Sequence, residues 1–252
     1  MKYIFDFGAN RGQNLNYYLR MADFVIAIEA NPVLCKVIAE TYKKEIAQGK
    51  LFIEQVAVSP VQQQKSDFFI HKSMHVLSTS SPPKNRMGSY TRISVKSKLA
   101  SQIIYEYAKG LDPWYCKFDL EGLDHLILTE LFSCGIRPKY ISAEAHNLKS
   151  LSAITLVDEY SRFKTVSCKS VKTFSYLFNN EYNRFDHDSA GPFGEDIPGP
   201  WFNAEAIHTK LCLEGFGCKD VHATTFKGES KNRLGRLVWI RTLIRRFFRL
   251  TR

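Results

Sequence analysis

The chain has no C-x-x-C pair: its six cysteines, Cys35, Cys116, Cys134, Cys168, Cys212 and Cys218, are scattered through 252 residues. That spacing predicts neither a zinc site nor a disulfide framework, and it fits reduced thiols in a cytoplasmic setting. No run of about 18 apolar residues occurs, so no segment reads as membrane-spanning. Asp6 interrupts the N-terminal apolar run at once, so no secretory leader is expected. A G-x-x-x-x-G-K-[ST] stretch is missing, and with it the phosphate loop of a nucleoside triphosphate site. So is G-x-G-x-x-G after the first strand, which a dinucleotide site would want. Internal repeats and low-complexity segments are also lacking.

What is present in excess is positive charge, +10 over the whole chain. Its distribution argues against nucleic acid. Residues 228–252 hold seven arginines, one lysine and one glutamate, a net of +7. The body is therefore close to balanced, and the basic tail is a separate question. Wound as a helix, "RLVWIRTLIRRFFRLTR" sets Trp239, Phe247, Phe248 and aliphatic residues against an arginine face. That pattern predicts a basic amphipathic C-terminal helix over 229–252, with peripheral contact through 233–252 to anionic lipid at the inner membrane surface. A helix docked on the domain or on a partner is the first alternative, and contact with nucleic acid the second.

The body reads as alternating strands and helices. "YIFDF", "FVIAIEA" and "LFIEQVAVS" are apolar runs suited to buried parallel strands. "NLNYYLRMA" is a short helix, and a longer one runs from Asn31 and Pro32, cap and first turn, to about Gln48. After a less regular stretch the pattern returns with "WYCKFDLEG", "DHLILTELFSCG", "PKYISAEAH", "LSAITLVDEYSRF" and "KTVSCKS". "KDVHATTF" is a last strand, and Val171 to Gly217 reads as irregular. The order β-α-β-α-β points to an α/β doubly wound sheet over 1–228, with insertions near 70–110 and 170–218.

Asp6, Glu29, Asp119 and Glu144 each fall at or near a strand end. In an open α/β sheet those ends line the ligand crevice. The loop after the first strand is Gly8-x-Asn10-x-Gly12, looser than a pyrophosphate loop and suited to a ligand without phosphate. Glu29 lies 21 residues after Gly8, at the end of the second strand, where its two oxygens can accept both hydroxyls of a ribose.

The run "FDFGANRG", then "IEANP", "VAVS" and "KFDLEG", with "RISVKSKLA" before the last, resembles the FkbM family of S-adenosylmethionine-dependent methyltransferases over roughly residues 3 to 146. The resemblance implies a Rossmann-like class I methyltransferase fold, a seven-stranded mostly parallel sheet with helices on both faces. It implies S-adenosylmethionine as cofactor and O-methylation of a sugar, glycan or secondary-metabolite hydroxyl. Asp6, Gly8, Ala9, Asn10 and Gly12 would form the methionine-side loop. Glu29 would hold the ribose, Ala30 and Asn31 would lie beside the adenine, and Ala57 would border it. Asp119 and Glu121 would stand nearest the reacting centre. The first strand begins at once, whereas many relatives carry helices before it that cover the cofactor. Cover is then expected from the 70–110 segment or a partner chain.

For an acceptor hydroxyl, Asp119, Glu121 and His146 are the candidate bases. His146 lies two residues after Glu144, on the same side of the strand, and an ordinary imidazole titrates near neutrality. Converging carboxylates, including those of "FDHDSAGPFGED", could suit a divalent metal, but a solvated loop is the favoured reading and no metal ligand is assigned. On a second reading "GPFGEDIPGPW" is a stiff substrate lid whose Trp201 stacks on a sugar; Glu144 is a further candidate for substrate contact. A nucleic-acid acceptor is unlike this pattern, because "FDLEG" stands where a base-gripping Asn/Asp-Pro-Pro-aromatic element would be. A homo-oligomer and a non-catalytic cofactor-binding module stay open.

Overall fold

The computed structural model describes residues 1–83, 85 and 87–230. The expectations for the basic tail from residue 231 onward lie outside the described residues. The main sheet comprises β1 (Tyr3–Phe7), β2 (Phe24–Ile28), β3 (Leu51–Glu54), β4 (Tyr115–Phe118), β5 (Tyr140–Glu144), β6 (Arg162–Ser167) and β7 (Lys219–Thr224). Their order across the sheet is β3-β2-β1-β4-β5-β7-β6. Neighbours run parallel except β7, which is antiparallel to both β5 and β6. Strand order reverses between β1 and β4, so a crevice opens there beyond the carboxyl ends. This is a Rossmann-like architecture, a seven-stranded mostly parallel sheet with helices on both faces.

Helices α1 (Leu15–Met21), α2 (Pro32–Thr41) and α3 (Lys43–Ala47) follow the first two strands. Then come α4 (Ala100–Ala108), α5 (Asp124–Ser133), α6 (Leu148–Thr155), α7 (Cys168–Val171) and α8 (Ala204–Glu214). The period-two alternation of the strands sorts the two faces. One is mainly apolar: Phe5, Phe7, Ile26, Phe118, Ile141 and Val221 lie in the core beneath the helices. Each such side chain contributes about 1.5–3 kcal/mol when fully buried. The other face is covered by α1, α2 and the 174–201 segment, and it carries polar groups as well.

Three expected elements differ. The helix from Pro32 breaks at Tyr42, whose hydroxyl turns inward and donates to the Gly12 carbonyl at 3.1 Å. "LFIEQVAVS" is two strands. β3 ends at Glu54, which Lys98 and Tyr107 hold at 2.9 and 2.8 Å. Ala57–Val58 then joins a small sheet with Lys65–His71 and Tyr90–Lys98. The 171–217 stretch is not all irregular. It holds a hairpin, Ser175–Phe178 with Glu181–Arg184, turning on Asn179 and Asn180, both at positive φ. It also holds α8, where Asn203 caps by accepting from Ala206 N and Gly215 ends the helix.

The expectation of six reduced thiols is corrected: Cys168 and Cys218 form a disulfide, with Cα atoms 5.5 Å apart. The antiparallel return of β7 pairs Lys219 with Ser167 and so brings the flanking cysteines together. Cross-linking positions 50 residues apart stabilises by at most ~4 kcal/mol in the chain-entropy model. Thermal melts with and without a reducing dithiol check this: the oxidised protein melts higher, and Cys168→Ser removes the difference. Among the described residues, no helix is long and apolar enough to cross a membrane.

Candidate active site

A cleft of about 400 Å³ opens at the switch point. One wall is the glycine loop. Gly8 N and Ala9 N both donate to Ile28 O at 3.0 Å, which folds the loop back onto β2. Gly8 has φ +85°, and a Cβ there would stand 2.1 Å from the Asp119 carbonyl oxygen. Only glycine permits that approach. Glu29, 7% exposed, joins the loop to the start of α2. Its Oε2 accepts from Asn10 N and its Oε1 from Asn31 N, each at 2.8 Å. Burial pushes its carboxyl up to about 7, against the pull of the Asn31, Asn10 and Ala30 amides. Beside it run Ala30, Leu34, Ala57, Phe68 and Leu77, an apolar strip.

The other end is acidic: Asp119, Glu121, Glu144 and Asp220 line it with His146. His146 Nε2 meets Glu144 Oε2 at 2.8 Å, and that hydrogen bond is the main cause that pushes the imidazole up to about 9. The expectation that His146 titrates near neutrality is thereby corrected: at pH 7 it holds its proton. Glu121 sits at φ +51° in the turn after β4. Burial first, then Asp119 and Glu144, push it up to about 8. The turn is fixed by Asp124, fully buried, which accepts from Leu120 N and Gly122 N at 3.0 and 3.3 Å.

Beneath these residues lies a row not foreseen from sequence. Asp6, Lys117, Ser142, His222 and Lys164 are register partners on five adjacent strands, all within 4% exposure. One step toward the carboxyl edge on the same face come Gly8, Asp119, Glu144 and Asp220. Lys117 Nζ reaches Asp6 Oδ1 and Asp119 Oδ2 at 3.3 Å each, and donates to Gly8 O at 3.0 Å. His222, whose ring nitrogens find no partner among the described residues, is driven down to about 3 by burial and by Lys164. The signal available in sequence was "KFD", a lysine two residues before an acid and hence on its face.

Two segments flank the cleft. Residues 75 and 77–80 line it from one side, as expected of the 70–110 stretch. The other, unforeseen, is the 187–190 turn. It docks on the glycine loop: Arg11 pairs with Asp186 and Asp188 at 3.3 and 3.2 Å, and Gln13 Nε2 donates to Asp188 O at 2.9 Å. Asn14 Oδ1 accepts from the Ser189 hydroxyl and from Ala190 N. The acids of "FDHDSAGPFGED" are thus engaged, Asp196 with Arg20 and Tyr17, Glu195 with the Trp201 indole. Among the described residues no group of three or more His, Cys, Asp or Glu is placed to hold a metal ion.

Of the residues singled out from sequence, Gly8, Asn10, Glu29, Ala30, Ala57, Asp119, Glu121, Glu144 and His146 line the cleft. Asp6, Ala9, Gly12 and Asn31 are its supports. Asp6 is 0% exposed and sits under Lys117, Ala9 is buried in the core, Gly12 meets Leu15 and Ile38, and Asn31 caps α2. Trp201 is a correction. It is 4% exposed, packed in the core under Arg162 and Lys164, and does not line the cleft.

No family model and no curated protein matches the chain. Among solved structures it is similar to the C-terminal domain of precorrin-6Y C5,15-methyltransferase from Rhodobacter capsulatus, with 11% identity, 88% of this chain and 79% of that one covered, and a TM-score of 0.41. A putative O-methyltransferase from Klebsiella pneumoniae gives 7%, 88%, 72% and 0.41. The O-methyltransferase from Bacillus cereus in complex with SAH gives 8%, 88%, 74% and 0.38. A likeness of this degree concerns the chain path and assigns no ligand or residue role.

Proposed function

We propose that the protein transfers a methyl group from S-adenosylmethionine to a hydroxyl of a small molecule or glycan. The observation that carries this is the buried Glu29 carboxylate, tied to the loop whose Gly8 admits no side chain. Each Glu29 oxygen accepts one backbone N–H and keeps a lone pair for a ribose hydroxyl. The apolar strip suits an adenine ring. A cleft of about 400 Å³ falls in the usual range for small-molecule sites. The acidic end favours a sulfonium, which carries the methyl group and a positive charge.

Within that cleft the chain's own groups divide the work. His146, protonated at neutral pH, can donate a hydrogen bond to the acceptor oxygen. Glu121 is predominantly protonated there too, so it is a poor base. Asp119, 38% exposed and held on one side by Lys117, is the group we assign to take the hydroxyl proton. An acceptor screen with methyl-labelled cofactor tests the assignment. Transfer to a neutral polyol is expected, and Asp119→Asn lowers the rate by about 10²–10⁴-fold while leaving cofactor binding in place. Transfer only to nitrogen acceptors, or full activity in that variant, overturns it. Anionic-vesicle flotation with and without residues 233–252 addresses the proposed membrane contact.

A further inference from the structure

Lys117 is a buried cation that ties two parts of the site together. Its ammonium donates to Gly8 O and stands at ion-pair distance, 3.3 Å, from both Asp6 Oδ1 and Asp119 Oδ2. Burial alone requires a counter-charge for Asp6, which is 0% exposed, whereas the Asp119 side chain is 38% exposed and open to solvent. Burial works against the charge on Lys117, but Asp6, Asp119 and Asp220 outweigh it and hold the ammonium protonated. The same two residues, Gly8 and Asp119, also meet through the backbone. Asp119 N donates to Phe7 O at 3.1 Å, and the Gly8 Cα packs on the Asp119 carbonyl.

We propose that Lys117 is a positioning residue that locks the glycine loop and the Asp119 carboxylate into one register. The loop that would grip the cofactor and the carboxylate that would face the acceptor then move as one body. The name of the cofactor rests on the methyl-transfer reading; the lock itself does not. The bland alternative is that Lys117 only neutralises Asp6.

Two variants separate these. Asp6→Asn leaves Lys117 on Gly8 and Asp119. Asp6→Asn with Lys117→Met replaces the buried ion pair by a neutral one, so no buried charge is stranded. Both are measured by amide exchange over residues 8–12 and by affinity for S-adenosylhomocysteine. The lock predicts that Asp6→Asn, which leaves Lys117 paired with Asp119 and bonded to Gly8 O, speeds exchange and weakens affinity by clearly less than the double variant does. It predicts faster exchange and about 10–100-fold weaker binding for the double variant, the loss of hydrogen bonds from a charged donor. Asp6→Asn with Lys117→Gln, which keeps a shorter donor, should recover part of the protection and serves if the methionine form does not fold. Wild-type exchange in the folded double variant, or in the absence of any donor at 117, overturns the proposal. If the wild-type protein does not bind S-adenosylhomocysteine, the cofactor reading fails while the exchange comparison still decides the role of Lys117.

Discussion

Glu29→Ala lowers affinity for S-adenosylhomocysteine by about 10²–10⁴-fold. Hydrogen bonds to a charged acceptor contribute about 1.5–3 kcal/mol each, and two are expected from a ribose. The same carboxylate holds Asn10 N and Asn31 N, so its loss also leaves two loop amides without their acceptor. Glu29→Gln is the sharper variant, because it keeps an oxygen and the side-chain shape. The pH dependence has a defined sign. The ligand-free carboxyl sits at about 7, and two donating hydroxyls need it ionised. Affinity therefore falls as pH drops below about 7, by up to about tenfold per unit, and the glutamine variant is flat over the same range. Calorimetric titrations between pH 5.5 and 8.5 report both.

Gly8→Ala is the second large effect, and it reaches stability as well as binding. The added Cβ would lie 2.1 Å from a backbone oxygen that cannot swing away, at φ +85°. Backbone strain of that kind costs about 1–3 kcal/mol before any clash is counted. A loss of at least ~3 kcal/mol is expected, a fall in Tm of about 6–12 °C for a chain of this size. Gly122→Ala is the matched control. Its φ is +89° but nothing lies within 4 Å of the added atom, so the loss is about 1 kcal/mol. Equal melting of the two variants would mean that the Gly8–Asp119 contact is not fixed.

Much of the frame was legible because buried parallel strands must be apolar and their polar ends must be earned by a partner or a ligand. β1, β2, β4 and β5 each announce themselves as a short apolar run meeting an acid, and Asn31-Pro32 marks the start of α2. What could not be read is what depends on distant chain meeting. The 186–190 turn looks like solvated loop until Asp186 and Asp188 find Arg11 across more than 170 residues. Cys168 and Cys218 are brought together only by the antiparallel return of β7. Trp201, between prolines and glycines in sequence, looks free to stack on a ligand, yet two cations cap its ring in the core. Lys117 was hidden for another reason. The alternation in "KFD" puts the lysine on the face of Asp119, but its pairing with Asp6 appears only once register sets the two strands side by side. His146 shows the limit for chemistry: its place was readable, but its proton belongs to the pairing with Glu144.

The methyl-transfer reading requires that this cleft take an adenosyl ligand. The direct measurement is equilibrium binding of S-adenosylhomocysteine to the full chain by titration calorimetry, with Glu29→Ala alongside. The account predicts saturable one-to-one binding, competed by S-adenosylmethionine and lost in the variant. A folded wild-type protein that shows no saturable binding, or one whose binding survives Glu29→Ala unchanged, would contradict it.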